Sequence, residues 1–162
     1  MKLKAFEESD WLRAAELLTS GEVNKTYMLP DFESLEAARP LFDRLMALSK
    51  DDKRYVRAME AEGEFVGFLN DVERKETSVE VGYAICPDAW GRGHATAALK
   101  LAIRDLFDLG LGFDRVVAGA FVGNDASLRV MEKAGMTPID QVDDIEYRGK
   151  VHKCVYRAVE KK

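Results

Sequence analysis

Apolar and polar positions recur along this chain with two periods, and the changes of period mark out its elements. Leu3–Phe6 reads as a short first strand. Ser9 is placed to cap a helix over Asp10–Leu18 whose apolar face carries Trp11, Ala14, Ala15 and Leu18, with Gly21 as its stop. Val23–Phe32 has no clear period. Ser34 can cap a second helix with Leu35, Ala38, Leu41, Phe42, Leu45 and Leu48 on one side. Pro40 falls inside it, removing a hydrogen bond and clashing with the preceding turn, so a kink or restart is expected near Arg39.

After the charged connector Lys50–Arg54 the period shortens. Tyr55–Met59 and Glu64–Leu69 read as strands joined at Glu62-Gly63, and a third strand runs from Val79 to Ile85 and ends before Pro87, which has no N–H to extend a ladder. A helix rich in strong helix formers then runs to Leu109, and Gly110-Leu111-Gly112 returns the chain to a strand over Arg115–Phe121. That spacing suits a right-handed strand–helix–strand unit with parallel neighbours. A further helix has Leu128, Met131 and Ala134 inward and Gly135 at its end. Strands near Ile139–Ile145 and Val151–Val159, joined by a turn at Tyr147–Lys150, complete the chain.

The stretch VEVGYAICPDAWGRGHAT, Val79–Thr96, organises this layout: a strand feeds a glycine loop, which feeds a helix. The first N–H groups of a helix have no internal partner and carry partial positive charge, and glycines beside them let an anion approach. A Walker loop needs Lys followed by Ser or Thr after its last glycine, where this chain has His94-Ala95. A dinucleotide fingerprint needs three spaced glycines and an acid closing the second strand, but Asp114 precedes the next apolar run.

The stretch resembles the coenzyme A pyrophosphate loop of the GNAT acetyltransferase superfamily, in which a strand and a Pro lead to Gln/Arg-x-x-Gly-x-Gly/Ala. Gly93 and Ala95 match; Trp90 stands at the first motif position, and Trp-Gly-x-Gly-x-Ala-Thr is similar to the RimJ/RimL-type branch, whose named members acetylate ribosomal-protein N-termini. A second stretch agrees: Asn124, Ser127 and Glu132-Lys133-Ala134-Gly135-Met136 resemble the family's Asn-x-x-Ser, helix, Lys-x-Gly-Phe segment, with Met for Phe. The likeness is closest over Phe65–Met136. It implies one α/β domain over residues 1–162: a twisted, mixed, mostly antiparallel sheet with a splayed parallel strand pair at its centre and helices on both faces. The extended N-terminal strand of the branch is shortened here.

Composition narrows the partners. Of 162 residues, 47% are hydrophobic, enough for one domain with a substantial core. A net charge of −5 argues against non-specific nucleic-acid or membrane binding and suits a cationic acceptor, so an anionic cofactor would depend on local dipoles and placed side chains. The two cysteines, Cys86 and Cys154, form no disulfide framework or metal pair, and the N-terminus has no apolar leader, so a cytoplasmic protein is expected.

The resemblance implies acetyl-CoA as cofactor, with Gly91, Arg92, Gly93, His94, Ala95 and Thr96 around the pyrophosphate, Ile85 beside the thioester and Asn124 near the pantetheine. Acetyl transfer to an amine needs a neutral nitrogen, a polarised carbonyl and a protonated sulfur on departure. Backbone N–H groups near Ile85 are candidates for the carbonyl, since an unpaired strand edge presents donors. Many GNAT enzymes place a proton-donating Tyr on the helix after the Asn, but the matching position is Met131. Ser127 matches the serine of RimL-type enzymes, which implies a proton or hydrogen-bond donor to the thiolate; helix capping is its alternative. Glu80 is the candidate base, or else a solvated strand carboxylate. Tyr83 could position the substrate.

The run Asp143, Asp144 and Glu146 could attract a protonated amine or merely solvate a strand end. Cys86 reads better as a small hydrophobe than as an acyl carrier, and His152 and Cys154 are too isolated to ligate a metal, so none is expected. The acceptor would be a protein N-terminus or a small cationic amine, and a homodimer is compatible with the pattern. A catalytically silent acyl-CoA sensor is the alternative from another class. An interaction module without cofactor would require both diagnostic stretches to be coincidental.

Overall fold

The structure is a computed structural model that describes residues 1–162. Its elements are β1 (Lys2–Lys4), α1 (Trp11–Leu18), α2 (Arg39–Leu48), β2 (Val56–Ala61), β3 (Glu64–Lys75), β4 (Ser78–Ile85), α3 (His94–Asp108), β5 (Arg115–Phe121), α4 (Asp125–Lys133), β6 (Thr137–Tyr147) and β7 (Lys150–Glu160). The strands form one seven-stranded sheet in the order β1-β2-β3-β4-β5-β7-β6. Every neighbouring pair is antiparallel except β4–β5, the parallel pair bridged by α3.

Helices cover both faces because adjacent strand residues point opposite ways. Phe68 packs against Phe6 and Tyr27, and Phe6 in turn meets Phe42 of α2. One step along the strands, Tyr55 donates to Asp105 of α3 and Tyr83 reaches Ser127 of α4. The β2–β3 register shifts between Met59 and Glu60, and that bulge turns Phe65 toward Phe6 as well, extending the aromatic core under α1 and α2. At Gly67 the backbone of β4 comes so close that a Cβ would collide with the Ala84 carbonyl oxygen, so only glycine fits.

Several boundaries differ from the pattern-based expectation. The first helix is not capped by Ser9: a 3₁₀ turn occupies Glu8–Asp10, the Asp10 carboxylate accepts from the Glu7 N–H at 2.9 Å, and the α-helix begins at Trp11. Thr19, not Gly21, ends it, its hydroxyl donating to the Ala15 carbonyl at 2.8 Å. Ser34 does accept from Ala37 N–H at 3.1 Å, but it caps a 3₁₀ turn over Glu36–Ala38; the α-helix restarts at Arg39 with Pro40 in its first turn, where a missing N–H costs nothing. Strand β3 runs six residues past Leu69, to Lys75. This extension was hidden by its exposed polar residues and by a bulge between Asp71 and Glu73. Gly135, at φ 92°, follows the end of α4 as expected.

No helix is long and apolar enough to cross a membrane.

Candidate active site

The sheet splits at its centre. Strands β4 and β5 pair from Ser78↔Arg115 to Val81↔Ala118 and no further. Beyond that point β4 stays with β3 as far as Ile85↔Gly67, while β5 stays with β7 as far as Phe121↔Cys154. The opening holds a cleft of about 670 Å³ whose walls come from both faces of the sheet, Tyr83 and Ser127 on the α3–α4 side and Tyr27 and Gly82 on the other.

One end of the cleft is the start of α3. Pro87–Ala89 make a 3₁₀ turn after β4, and the Trp90 indole N–H donates to the Ile85 carbonyl at 2.9 Å. Because Trp90 lines the cleft, that bond shows the hydrogen-bonding edge of Ile85 facing the gap, and its N–H lies on the same edge. Gly91 and Gly93 both take left-handed φ values, 76° and 78°. The space beside Gly93 is open, so the backbone conformation and not crowding demands glycine there. Ala97 N–H makes the first bond back to the Gly93 carbonyl, at 3.1 Å. The N–H groups of His94, Ala95 and Thr96 precede it, no side chain caps the helix, and all three residues line the cleft.

On the α4 wall, the Asn124 side chain accepts from the Ser127 backbone N–H at 3.3 Å. Asn124 is therefore the cap, and the Ser127 hydroxyl is left for another partner. That partner is Tyr83, whose hydroxyl lies 2.7 Å from Ser127 Oγ. Burial pushes the Tyr83 phenol up to about 12, with the Ser127 contact opposing the shift, so the group is protonated at neutral pH. Met131, by contrast, is fully buried in the core and lines no part of the cleft.

The family model described as acetyltransferase (GNAT) domain matches residues 1–137. This chain belongs to the GNAT acetyltransferase family. An uncharacterised N-acetyltransferase of Bacillus subtilis (strain 168), YoaA, is 28% identical over 121 residues, covering 72% of this chain and 68% of the relative. The spermidine N-acetyltransferase of Vibrio cholerae, solved with CoA and spermine, superposes with a TM-score of 0.80 at 17% identity over 99% of this chain and 95% of that one. RimL, a ribosomal L7/L12 α-N-protein acetyltransferase solved with coenzyme A, gives 0.80 at 19% over 98% and 93%. At these identities the structural likenesses are likenesses of fold.

Within this GNAT domain, Ile85, Gly91, Gly93, His94, Ala95, Thr96, Asn124 and Ser127 all line the one cleft. Arg92 is exposed and lies outside its wall, as does Glu80. Glu80 shares the sheet face of Gly82 and borders a smaller recess with Glu73, Lys75 and Gln141. Burial raises its pKa, helped by the charges of Glu73 and Asp143. Asp143, Asp144 and Glu146 are exposed along the edge strand β6. The Cys86 thiol is buried and pushed up to about 12, which leaves no thiolate for acyl transfer. His152 stacks on Phe121 with ring centroids 4.5 Å apart, and Cys154 is buried.

Sequence reasoning missed the Tyr83–Ser127 pair and the wall formed by Glu22–Tyr27. The alternation of β4 placed Tyr83 opposite Glu80 in facing, but nothing local named Ser127 as its partner. The wall segment carries no period at all.

Proposed function

We propose that this chain, as a single domain over residues 1–162, transfers an acetyl group from acetyl-CoA directly to a primary amine. The observation that carries the reading is the joining, in one cleft through a split sheet, of an uncapped helix start and a buried hydroxyl pair. The cleft fits the cofactor chemically. Unpartnered N–H groups at His94, Ala95 and Thr96, with Gly91 and Gly93 beside them, suit a pyrophosphate, and Arg92 at the rim adds a cation. The gap edge at Ile85 and the wall at Asn124 suit a narrow amide-bearing arm.

When bound, acetyl-CoA supplies the thioester carbonyl that the amine attacks. Ile85 N–H is the donor that stabilises the negative charge developing on the carbonyl oxygen. Ser127, hydrogen-bonded to Tyr83, holds the proton delivered to the departing sulfur; the phenol keeps that proton at neutral pH because its pKa is high. Glu80, with its raised pKa, takes the proton of the amine through water along the face of Gly82, where no side chain intervenes.

For the acceptor we propose a protein N-terminus or a small cationic amine, in keeping with the RimJ/RimL-like loop and the acidic balance of the chain. The fold is shared with a spermidine acetyltransferase and with RimL, which supports both choices. One observation favours an acyl-CoA sensor instead: Glu80 lies outside the cleft.

Calorimetric titration with acetyl-CoA, followed by thiol-release turnover against polyamines, aminoglycosides and peptides with free N-termini, tests the reading. Binding with turnover is expected. Binding without turnover across the panel turns the reading into the sensor, and absence of binding overturns the assignment of the glycine loop.

A further inference from the structure

The β6–β7 hairpin lies almost wholly beyond the residues that the family model matches, and β6 is exposed along most of its length. Its tip is nevertheless tied to a distant part of the chain. The Tyr147 hydroxyl donates to the Asn24 carbonyl at 2.6 Å and accepts from the Leu29 N–H at 3.3 Å. Arg148 pairs with Asp31 at 2.6 Å and donates to the Leu29 carbonyl at 3.3 Å and to the Tyr147 hydroxyl at 2.8 Å. The grip falls on the segment whose residues Val23, Lys25, Thr26 and Tyr27 wall the cleft on its Gly82 side.

A second observation makes the grip more than a chance surface contact. Arg148 and Gly149 turn the hairpin with φ values of 53° and 74°, a two-residue turn that favours Asn-Gly and is costly for any other side chain at its first position. A strained arginine is retained where asparagine would be cheaper, and every polar contact of its side chain is made with Tyr147 or with the gripped segment. The Tyr147 ring is itself braced beside Phe121 and His152, at centroid distances of 6.3 and 6.2 Å. Segment 22–31, which has no α-helix or strand of its own, thus takes its position from the hairpin and not from local structure.

We propose that Tyr147 and Arg148 are positioning residues for the acceptor: by clamping segment 22–31 they fix the acceptor wall of the cleft without touching acceptor or cofactor. The inference rests on the acetyltransferase reading above. It separates two affinities, because the clamp acts on the Tyr27–Gly82 side, whereas the helix start that suits the cofactor lies at Gly93–Thr96.

The test uses Arg148→Asn, which relaxes the turn while releasing the clamp, and Tyr147→Phe, which keeps the ring stack and loses the hydroxyl. Hydrogen exchange on the full chain is expected to quicken at amides 22–31 in both variants, with melting temperature unchanged or raised in Arg148→Asn. With whichever amine of the panel is turned over, acceptor KM is expected to rise roughly three- to tenfold, the effect of one lost hydrogen bond, while acetyl-CoA KM moves less than about twofold. Unaltered exchange in segment 22–31, or an equal rise of both KM values, overturns the clamp. A wild-type protein that acetylates no amine overturns the proposed function, and the acceptor assignment falls with it, whereas normal turnover with unaltered acceptor KM in the variants overturns this inference alone.

Discussion

The hydroxyl groups of Tyr83 and Ser127 lie 2.7 Å apart, joining the splayed end of β4 to the first turn of α4 across 44 residues of sequence. If they deliver one proton as a unit, Tyr83→Phe and Ser127→Ala should each lower kcat by roughly a hundredfold, and the double variant should be little worse than the weaker single one. Acetyl-CoA KM should move less than about twofold, since neither group belongs to the helix start. Thiol-release kinetics check this, and additive losses would separate the two roles.

Glu80 makes a prediction about pH. It must be ionised to accept a proton, and burial together with Glu73 and Asp143 holds its pKa above the usual carboxylate range. The acidic limb of kcat/KM should therefore fall at a higher pH than an ordinary carboxylate would give, and Glu80→Gln should remove that limb and most of the activity. Stability runs the other way. A raised folded-state pKa contributes stability below the unfolded value that is lost as pH rises through the folded one, so Glu80→Gln should be neutral or stabilising at pH 7. A fully active Glu80→Gln would end its role as base.

Gly93 separates strain from charge. With φ at 78° and open space beside it, Gly93→Ala should cost about 1–2 kcal/mol of stability and only weaken coenzyme A binding. Gly93→Asp adds a carboxylate to the same backbone strain at the helix start and should abolish binding. Calorimetry on both variants decides between the two effects; tight binding by Gly93→Asp would remove the anion site from α3.

Asp71 is 3% exposed and receives hydrogen bonds from Arg54, Arg74 and the Tyr55 N–H, anchoring the bulge of β3. Burial alone would raise its pKa; the two guanidinium groups and the backbone donor outweigh that and hold it below the usual range. Asp71→Asn should destabilise by about 2–3 kcal/mol at pH 7, less than for a fully buried pair because Arg54 and Arg74 are each about one-third exposed. A lowered pKa contributes stability present above the unfolded value and lost as pH falls through the folded one, so urea midpoints of variant and wild type should converge in strong acid.

Much of this was legible before any coordinates. The Val79–Ile85 strand, the glycines of the loop, the helix from His94 and the restart at Arg39 follow from β-branching, left-handed turns and proline sterics, all local effects. Asn124 and Ser127 were readable as a pair, but which of them caps was not, because both residues are good caps.

The order of the sheet is a different kind of fact. Local pattern cannot show that β7 inserts between β5 and β6, or that the β4–β5 ladder stops at Val81↔Ala118, since both are settled by competition among strands far apart in sequence. From that competition come the split that makes the cleft, the meeting of Tyr83 with Ser127, the exclusion of Glu80 from its walls and the grip of Tyr147 on Asn24. The sequence by itself determined the elements, the family and the helix start that suits an anion, because these depend on neighbours within a turn or two. Only the tertiary structure decided which side chains converge, because convergence depends on register and strand order over tens of residues.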